Sequence, residues 1–251
     1  MRMDMGRRLW WVAAGGGLWL AVLCMAGAAA ERAAGPNGAA RGDRANKTHA
    51  GAADGQAAKN GQGAGWQSLF DGKTLGRWKV IDQYDFADHG RVEVRDGVLV
   101  LRRGKPATGV RWTGPFPTID FEVALEAKRV EGDDFFCAVS FHWNQSPMTL
   151  VLGGWDGTVV GLSSIDGEPA VENETCCCVD FRRDRWYRVR LRVTQPRIEV
   201  WLDERKIIDL ATEGRRFSIY WEMEPCLPFG LATWYTTGAV RNIRLRKLGG
   251  P

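Results

Sequence analysis

Alternation of apolar and polar residues, repeated along most of the chain, is the feature that most limits what this sequence can fold into. In residues 187–193 every second residue is apolar and the residues between are arginines; residues 198–202 repeat the pattern after a Thr-Gln-Pro turn. A period of two places one face of a strand in a core and the other towards water. The two runs therefore predict a β-hairpin in which Arg190 or Arg192 pairs with Glu199.

Further short apolar runs separated by turn residues predict more strands. The candidates outside the hairpin are residues 67–69, 91–94, 98–102, 121–128, 135–143, 148–152, 158–163, 206–210, 229–233 and 240–248. Asp-Gly and Gly-Gly pairs supply turns between them. From residue 66 onward no window sustains a 3.6-residue period for three turns. The sequence therefore predicts an all-β fold, an antiparallel β-sandwich of the jelly-roll kind.

The first 65 residues differ from the rest. A basic start, an apolar run and an Ala-Ala-Ala site predict a secretory signal peptide over residues 1–30, with an uncleaved membrane anchor as the alternative. Residues 31–65 hold no Val, Ile, Leu, Met or aromatic residue, which predicts a disordered Ala/Gly-rich tether. The folded domain should span residues 66–251. We expect a secreted, periplasmic or cell-envelope protein with no membrane contact after cleavage.

Charge and cysteine content limit the partners and cofactors. Residues 66–251 contain 26 basic and 26 acidic residues, and this balance argues against nucleic acid as the main partner. The five cysteines in this region show no zinc-like spacing, and no D-x-D-x-D calcium motif is present. We expect neither a metal nor a cofactor. The sequence leaves the disulfide pairing and the oligomeric state open.

The segment W-Q-S-L-F-D-G-K-T-L-G-R-W-K-V at residues 66–80 carries a family resemblance. The later segments D-F-E-V-A-L-E, F-F-C-A-V-S-F and P-F-G-L-A-T-W follow in matching order. Over residues 66–248 the chain resembles the 3-keto-disaccharide hydrolase family, which implies a concanavalin A-like sandwich. Two family motifs differ here: an Asn-Ser-Gly strand start is replaced near residue 134, and a Glu-x-Gln-x-x-Asp strand is replaced at residues 149–156.

The resemblance implies a glycoside whose 3-hydroxyl has been oxidised to a ketone. The ketone acidifies the C2 proton, so a base can form an enolate that expels the C1 substituent, after which water adds. Such a site needs a base near C2, an acid at the leaving oxygen and an electrophilic group at the ketone oxygen. Direct hydrolysis by two carboxyl groups is the alternative route.

Three candidate catalytic residues follow from this requirement. Asp134 and His142 share one face if residues 134–143 form a continuous strand, with Phe135, Cys137, Val139 and Phe141 on the core side. Glu174 is the third candidate, in an acidic Glu-Asn-Glu loop. The competing interpretation of each is a solvated or half-buried residue without a catalytic task.

Four further residues are candidates for binding the substrate, which we expect to be a carbohydrate. These are Trp155, Asp156, Glu172 and Trp234. The indole rings would stack on the apolar faces of pyranose rings. Two other functions remain open: a non-catalytic carbohydrate-binding module and an adhesion domain of the cell envelope.

Overall fold

The computed structural model describes residues 65–249, and in this part of the chain it consists of strands with two short 3₁₀ helices. The strands are, in chain order, β1 (Trp66–Ser68), β2 (Trp78–Val80), β3 (Val92–Arg95), β4 (Val98–Leu101), β5 (Ala107–Trp112), β6 (Phe121–Glu131), β7 (Cys137–Trp143), β8 (Ser146–Gly154), β9 (Val159–Ser163), β10 (Cys177–Cys178), β11 (Tyr187–Val193), β12 (Arg197–Leu202), β13 (Arg205–Ala211), β14 (Gly230–Trp234) and β15 (Thr237–Lys247). The first 3₁₀ helix is Tyr84–Phe86 and the second is Trp221–Cys226.

The strands form two antiparallel sheets. The eight-stranded sheet has the order β13-β12-β11-β6-β15-β4-β3, and β1 pairs with β15 beside this path. The seven-stranded sheet has the order β10-β9-β8-β7-β14-β5-β2. The all-β antiparallel sandwich expected from the alternation is confirmed.

The hydrophobic core lies between the two sheets and consists of the inward residues of the alternating strands. In β11, Val189 and Leu191 face this core, opposite Leu125 and Val123 of β6. The arginines between them face outward. The hairpin of β11 and β12 is confirmed, with Arg192 opposite Glu199 and 3.8 Å between their charged groups.

Strand β7 confirms part of the alternation expected for residues 135–143. Cys137, Val139 and Phe141 face the core between the sheets, while Ala138, next to Cys137, packs on the outer side of the seven-stranded sheet. The strand begins only at Cys137, and Phe136 packs in the central core. The expected inward position of Phe135 is wrong, because Phe135 packs on the outer side of the sheet with Ala138. The shared face therefore does not extend back to Asp134, because the residues before Cys137 leave the regular pleat.

Three strands were not expected from the sequence: β2, β5 and β10. Strand β5 reads Ala-Thr-Gly-Val-Arg-Trp, and five of its six residues are buried, since other residues cover both of its faces. A strand that is covered on both sides shows no alternation. The expected leader, residues 1–30, lies outside the described residues, as does nearly all of the expected tether. No helix in residues 65–249 is long and apolar enough to cross a membrane.

Candidate functional site

The outer face of the seven-stranded sheet is covered by other parts of the chain, and glycines in the strands make room for them. A Cβ atom on Gly109 of β5 would lie 2.6 Å from Cε1 of Phe86, so the first 3₁₀ helix rests directly on that strand. A Cβ on Gly161 of β9 would lie 2.8 Å from the carbonyl oxygen of Ala170. Small residues in this sheet thus determine how closely the covering segments approach it.

A second hydrophobic cluster, which we call the outer cluster, fills the space between this face and its cover. Its members are buried residues from the strands, both 3₁₀ helices and their connections: Ile81, Phe86, Ala107, Phe135, Ala138, Val151, Met223, Cys226, Ala232 and Trp234. Trp155 and Ile219 pack against it. The middle of the face is therefore apolar and filled.

Residues 217–226, which we call the crossing segment, run across this face. At one end Ser218 exchanges backbone hydrogen bonds of 2.7 and 3.2 Å with Ser164, just after β9. At the other end the second 3₁₀ helix lies against β5 and β14. Met223 and Cys226 point into the outer cluster, so the segment is fixed at both ends and along its underside.

The crossing segment carries a buried carboxyl group, that of Glu222. This residue is 6 % exposed, and its Oε2 atom is buried without a hydrogen-bond partner among the described residues. Burial raises the pKa of the Glu222 carboxyl, and the nearby charge of Asp85 raises it further. Burial also raises the pKa of Asp85, which lies in the first 3₁₀ helix. Two carboxyl groups that resist ionisation therefore lie close to each other over β5.

Exposed aromatic rings flank this carboxyl pair. In the described part of the chain the exposed large hydrophobic side chains are those of Tyr84, Tyr220, Trp221 and Tyr235, and all four are aromatic. Tyr84 and Trp221 are adjacent to Asp85 and Glu222 in sequence, and their rings meet edge to face at 6.3 Å. The Tyr220 hydroxyl forms a hydrogen bond with the Ser164 side chain, and burial raises the pKa of Tyr220. Exposed rings beside polar groups are typical of sugar-binding surfaces.

Four of the residues expected at the site meet at a second place, the β14 end of the same face. Asp134 accepts hydrogen bonds from the backbone N–H groups of Phe135, at 2.7 Å, and of Trp155. Burial raises the pKa of Asp134, Arg129 opposes the rise and Asp156 adds to it. Trp155 packs against the outer cluster, which includes Trp234. The Trp155–Asp156 turn thus meets Asp134, and the Trp234 ring packs 5.9 Å from the ring of the next residue, Phe135.

A buried arginine supports this second group from below. Nη2 of Arg129 donates to the carbonyl oxygens of Gly157, at 2.7 Å, and Gly153, at 3.2 Å, and its guanidinium lies 5.2 Å from the centre of the Phe136 ring. These bonds join β6 of one sheet to the turn that carries Trp155. The hydrogen bonds hold the turn in place, and the positive charge of Arg129 offsets the repulsion between Asp156 and Asp134.

The other three expected residues lie elsewhere. His142 is the sixth residue of β7, eight positions beyond Asp134, which separates the two by about 20 Å or more at the usual rise per residue. Glu174 is exposed and forms an ion pair with Arg215. Glu172 is also exposed, near Tyr220, whose pKa its charge raises. The structure does not bring Asp134, His142 and Glu174 together.

The carboxyl pair of Asp85 and Glu222 was missed by the sequence reasoning. Both residues lie in short 3₁₀ helices, and such helices carry no periodic signal in a sequence. The one local signal is composition: each acid directly follows an aromatic residue, in Tyr-Asp-Phe and Trp-Glu-Met. Within residues 65–249 no three His, Cys, Asp or Glu side chains are grouped so that they could hold a metal ion.

The two antiparallel sheets define a β-sandwich protein of the concanavalin A-like fold. The chain belongs to the family of 3-keto-α-glucoside-1,2-lyase-like domains, whose sequence model matches residues 65–246. The protein is therefore a carbohydrate-related β-sandwich domain. The resemblance to the 3-keto-disaccharide hydrolase family is confirmed.

Solved structures agree on the fold. A Crh5 transglycosylase in complex with NAG has a TM-score of 0.51 at 14% identity, with 75% of this chain and 86% of that chain covered. The exoplasmic/lumenal domain of VIP36, bound to Ca²⁺ and Man₃GlcNAc, has a TM-score of 0.50 at 13% identity, with 73% and 89% covered. At this identity the likeness concerns the sandwich architecture alone. Comparison with curated proteins finds no match.

Proposed function

We propose that this protein is an enzyme that cleaves 3-keto-glycosides, with Glu222 and Asp85 as the groups that move protons. The observation that carries the proposal is the Glu222 carboxyl, 6 % exposed, with an unpartnered buried oxygen and a second carboxyl nearby. Perturbed acids that lie beside a ligand-sized surface are typical of active sites. Membership of the family supplies the substrate class.

The chemistry of a 3-keto-glycoside suits such a pair. A base removes the acidified C2 proton, the enolate expels the C1 oxygen, and an acid protonates that oxygen as it leaves. Burial raises the pKa of both carboxyl groups, and the charge of Asp85 further opposes ionisation of Glu222. One member can therefore accept the C2 proton while the other still holds a proton for the leaving group. Water then adds across the double bond to complete a net hydrolysis.

The aromatic rings beside the pair would hold the sugar. Trp221 is 53 % exposed and Tyr84 is 68 % exposed, and each is next to one of the two acids in sequence. An indole face stacks on the C–H side of a pyranose ring and leaves its hydroxyl and keto groups free. The proposal requires that the ring edge that carries C1 and C2 then faces the carboxyl pair.

Asp134 remains the alternative acid of the same face. Its pKa is raised by burial, and Trp155 lies directly beside it, which is again a carboxyl next to an indole ring. Two backbone hydrogen bonds and the charge of Arg129 stabilise the ionised form of Asp134, however. Glu222 has one such bond, from its own backbone N–H, and its Oε2 atom has no partner among the described residues. For this reason we assign the proton transfer to Glu222 and retain Asp134, Trp155 and Asp156 as a second subsite. Trp234, expected to stack on a sugar, is buried in the outer cluster and supports this subsite from within.

The test is cleavage of p-nitrophenyl 3-keto-α- and β-glucosides and of 3-keto-disaccharides by the purified full chain. We expect release of the leaving group, transient formation of the unsaturated sugar, and a loss in kcat of about 100-fold or more in Glu222→Gln. Glu224→Gln is the matched control, because this exposed carboxyl lies two residues away in the same helix. Absence of release from folded protein, or full activity in Glu222→Gln, contradicts the proposal. A loss of activity in Asp134→Asn but not in Glu222→Gln would mean that the reaction takes place at the second subsite.

A non-catalytic carbohydrate-binding role is favoured by one observation. The middle of the outer face is filled by Ala138, Val151 and Ala232, which offer no polar group to a reacting sugar. This role predicts binding to unoxidised glycans that survives both Glu222→Gln and Asp134→Asn and is lost in Trp221→Ala. Isothermal titration of the three variants separates it from the enzyme.

We also propose that the protein is exported through the leader at residues 1–30 and then carried on the tether at residues 31–65. The support is the sequence pattern of a basic start, an apolar run and small residues at positions 28–30. N-terminal sequencing of the protein recovered from the extracytoplasmic fraction tests this. A start near residue 31 is expected, and an intact N-terminus would favour the membrane anchor.

A further inference from the structure

The outer face of the eight-stranded sheet, on the other side of the molecule from Glu222, carries a dense group of arginines. The register places Arg192 and Arg246 on either side of Glu122, in one row across three strands. In the next row Arg190 and Arg244 stand on either side of Ala124. We call these four arginines, with Glu122 and Ala124 between them, the arginine surface.

One carboxylate serves most of this group. Glu122 is 1 % exposed and forms an ion pair with Arg246, with longer contacts of 3.8 Å to Arg190 and 4.0 Å to Arg192. Arg244 has no carboxylate partner in the described part of the chain. Glu199 also lies 3.8 Å from Arg192, but Lys206 contacts the same carboxylate. The surface therefore holds positive charge beyond what its own acids neutralise.

Tryptophan rings hold the outer arginines in place. The Arg190 guanidinium lies 3.6 Å from the centre of the Trp201 ring. On the other side, Arg244 and Arg246 lie 5.5 and 4.8 Å from the centre of the Trp66 ring. A guanidinium that rests on a ring has already lost much of its rotational freedom and keeps the edges of its N–H groups for a ligand.

The geometry of the two rows leaves a place for an anion. Arginines on the same face of one strand repeat about every 7 Å, and β11 and β15 lie two strand spacings, about 10 Å, apart. Ala124 has only a methyl group between Arg190 and Arg244, so the surface has a shallow depression at the centre of the second row. A group of charged donors around a small residue fits carboxylate or sulfate groups arriving from solvent.

We propose that the arginine surface binds an acidic polysaccharide, one that bears carboxylate or sulfate groups on successive sugars. Several weak ion pairs along a polymer act together, whereas one exposed pair contributes little. Such a site would anchor the protein on a charged polymer while the opposite face remains open to its own substrate.

Two other polyanions fit the surface less well. The exposed large hydrophobic side chains of the described residues (Tyr84, Tyr220, Trp221 and Tyr235) are absent from this face. Its half-buried rings, Trp66 and Trp201, are occupied by guanidinium groups, so the face offers little apolar surface to insert into a lipid bilayer. The surface has four arginines, fewer than the roughly six to ten phosphate contacts of a protein that binds duplex nucleic acid.

The experiment is a binding titration of the full chain with polygalacturonate and with heparin at about 0.15 M salt, with neutral dextran as the negative probe. The test variant is the double substitution Arg190→Gln and Arg244→Gln. The control is the double substitution Arg182→Gln and Arg216→Gln, which removes the same charge from exposed positions outside the eight-stranded sheet. Thermal unfolding of each variant checks that it is folded.

We expect acidic polymers to bind and dextran not to bind, with affinity falling at least about tenfold in the test variant and less than about twofold in the control. Preference for polygalacturonate or for heparin identifies carboxylate or sulfate as the ligand group. Absence of binding, equal loss in both double variants, or tighter binding to anionic vesicles or DNA overturns the proposal. Activity on 3-keto-glycosides is measured in parallel and should be unchanged, so the two proposals fail separately.

Discussion

Cys226 lies directly over Gly230. A Cβ atom on Gly230 would stand 2.4 Å from the carbonyl oxygen of Cys226 and 2.7 Å from its Cβ atom. Both atoms belong to Cys226, which is buried in the outer cluster, so neither atom can move aside easily. The absence of a side chain at one position of β14 thus sets how deeply the second 3₁₀ helix, and with it Glu222, lies on the sheet.

The substitution Gly230→Ala should displace that helix. We expect the free energy of unfolding to fall by about 1–3 kcal/mol, as for other overpacked sites, and cleavage of 3-keto-glycosides to fall more than stability alone explains. Chemical denaturation and steady-state kinetics measure the two effects. Gly214→Ala is the control: its Cβ meets open space and its cost comes from a φ of +72°, so it should lose stability without losing activity. Equal activity in both variants would refute the displacement.

Glu222 should make the stability of the fold depend on pH in a defined direction. Its pKa is raised in the folded state. At low pH the carboxyl is protonated in both the folded and the unfolded state, so its ionisation does not lower the unfolding free energy. As pH rises from the unfolded to the folded pKa, the unfolded state ionises first and stability falls. Glu222→Gln removes this penalty, so its gain in unfolding free energy should be larger at pH 7 than at pH 4.

Urea denaturation at the two pH values measures this gain. Glu224→Gln, at an exposed position of the same helix, should show little difference between them. A gain in Glu222→Gln that is independent of pH would mean that the buried carboxyl does not resist ionisation, and it would remove the physical basis for its role as a proton donor.

Trp221 and Tyr84 should contribute to substrate affinity rather than to the fold. Both rings are largely exposed and touch each other edge to face, so truncation removes little buried surface. We expect Trp221→Ala and Tyr84→Ala each to raise KM severalfold, with melting temperatures close to that of the parent protein. Trp201→Ala, whose ring stacks with Arg190 on the other sheet, is the matched control and should leave KM unchanged. An unchanged KM in Trp221→Ala would exclude stacking of the sugar on this ring.

The sandwich was predictable from the sequence because its central strands are exposed on one face only. In β11 and β12 that exposure gives the alternation directly, down to the pairing of Arg192 with Glu199. Strand β5 has both faces covered, partly by Phe86 on Gly109, so its residues lack the alternating signal. The sequence also did not reveal that the inward and outward positions shift by one residue before Cys137, because this shift depends on the partner strands and not on local composition.

The candidate site was predictable only where acids lie in turns next to the strands. Asp134, Trp155 and Asp156 were recognised and do meet, since a Gly-rich turn brings them beside one another. Glu222 and Asp85 come together through two separate 3₁₀ helices that are distant in sequence. Their proximity follows from the crossing segment's contacts with Ser164 and Gly230, which no local pattern encodes.

The cysteines should differ in reactivity according to burial. Burial raises the pKa of Cys137 and of Cys226 to about 12, whereas Cys178 is exposed at the edge strand β10. Thiolate is the reactive form, so we expect Cys178 to react with a thiol reagent in the folded protein and the two buried cysteines to react only after denaturation. Mass spectrometry of alkylated peptides measures this. Rapid labelling of Cys226 in native protein would mean that the crossing segment opens readily.

Arg129 should be required for the second subsite. Its Nη2 atom bonds the carbonyl oxygens of Gly153 and Gly157 on either side of the Trp155 turn, so Arg129→Met leaves these acceptors unpaired in a buried place. We expect a loss of about 2–5 kcal/mol in unfolding free energy and faster hydrogen exchange in residues 153–158. Arg183→Met, which breaks only an exposed pair with Asp133 at 3.0 Å, should cost under about 1 kcal/mol.

The same substitution at Arg129 tests which acid transfers the proton. Because Arg129 lowers the pKa of Asp134, its removal should raise that pKa further, and a shift in the pH profile of cleavage would then assign proton transfer to Asp134. An unshifted profile in folded Arg129→Met leaves the reaction with Glu222.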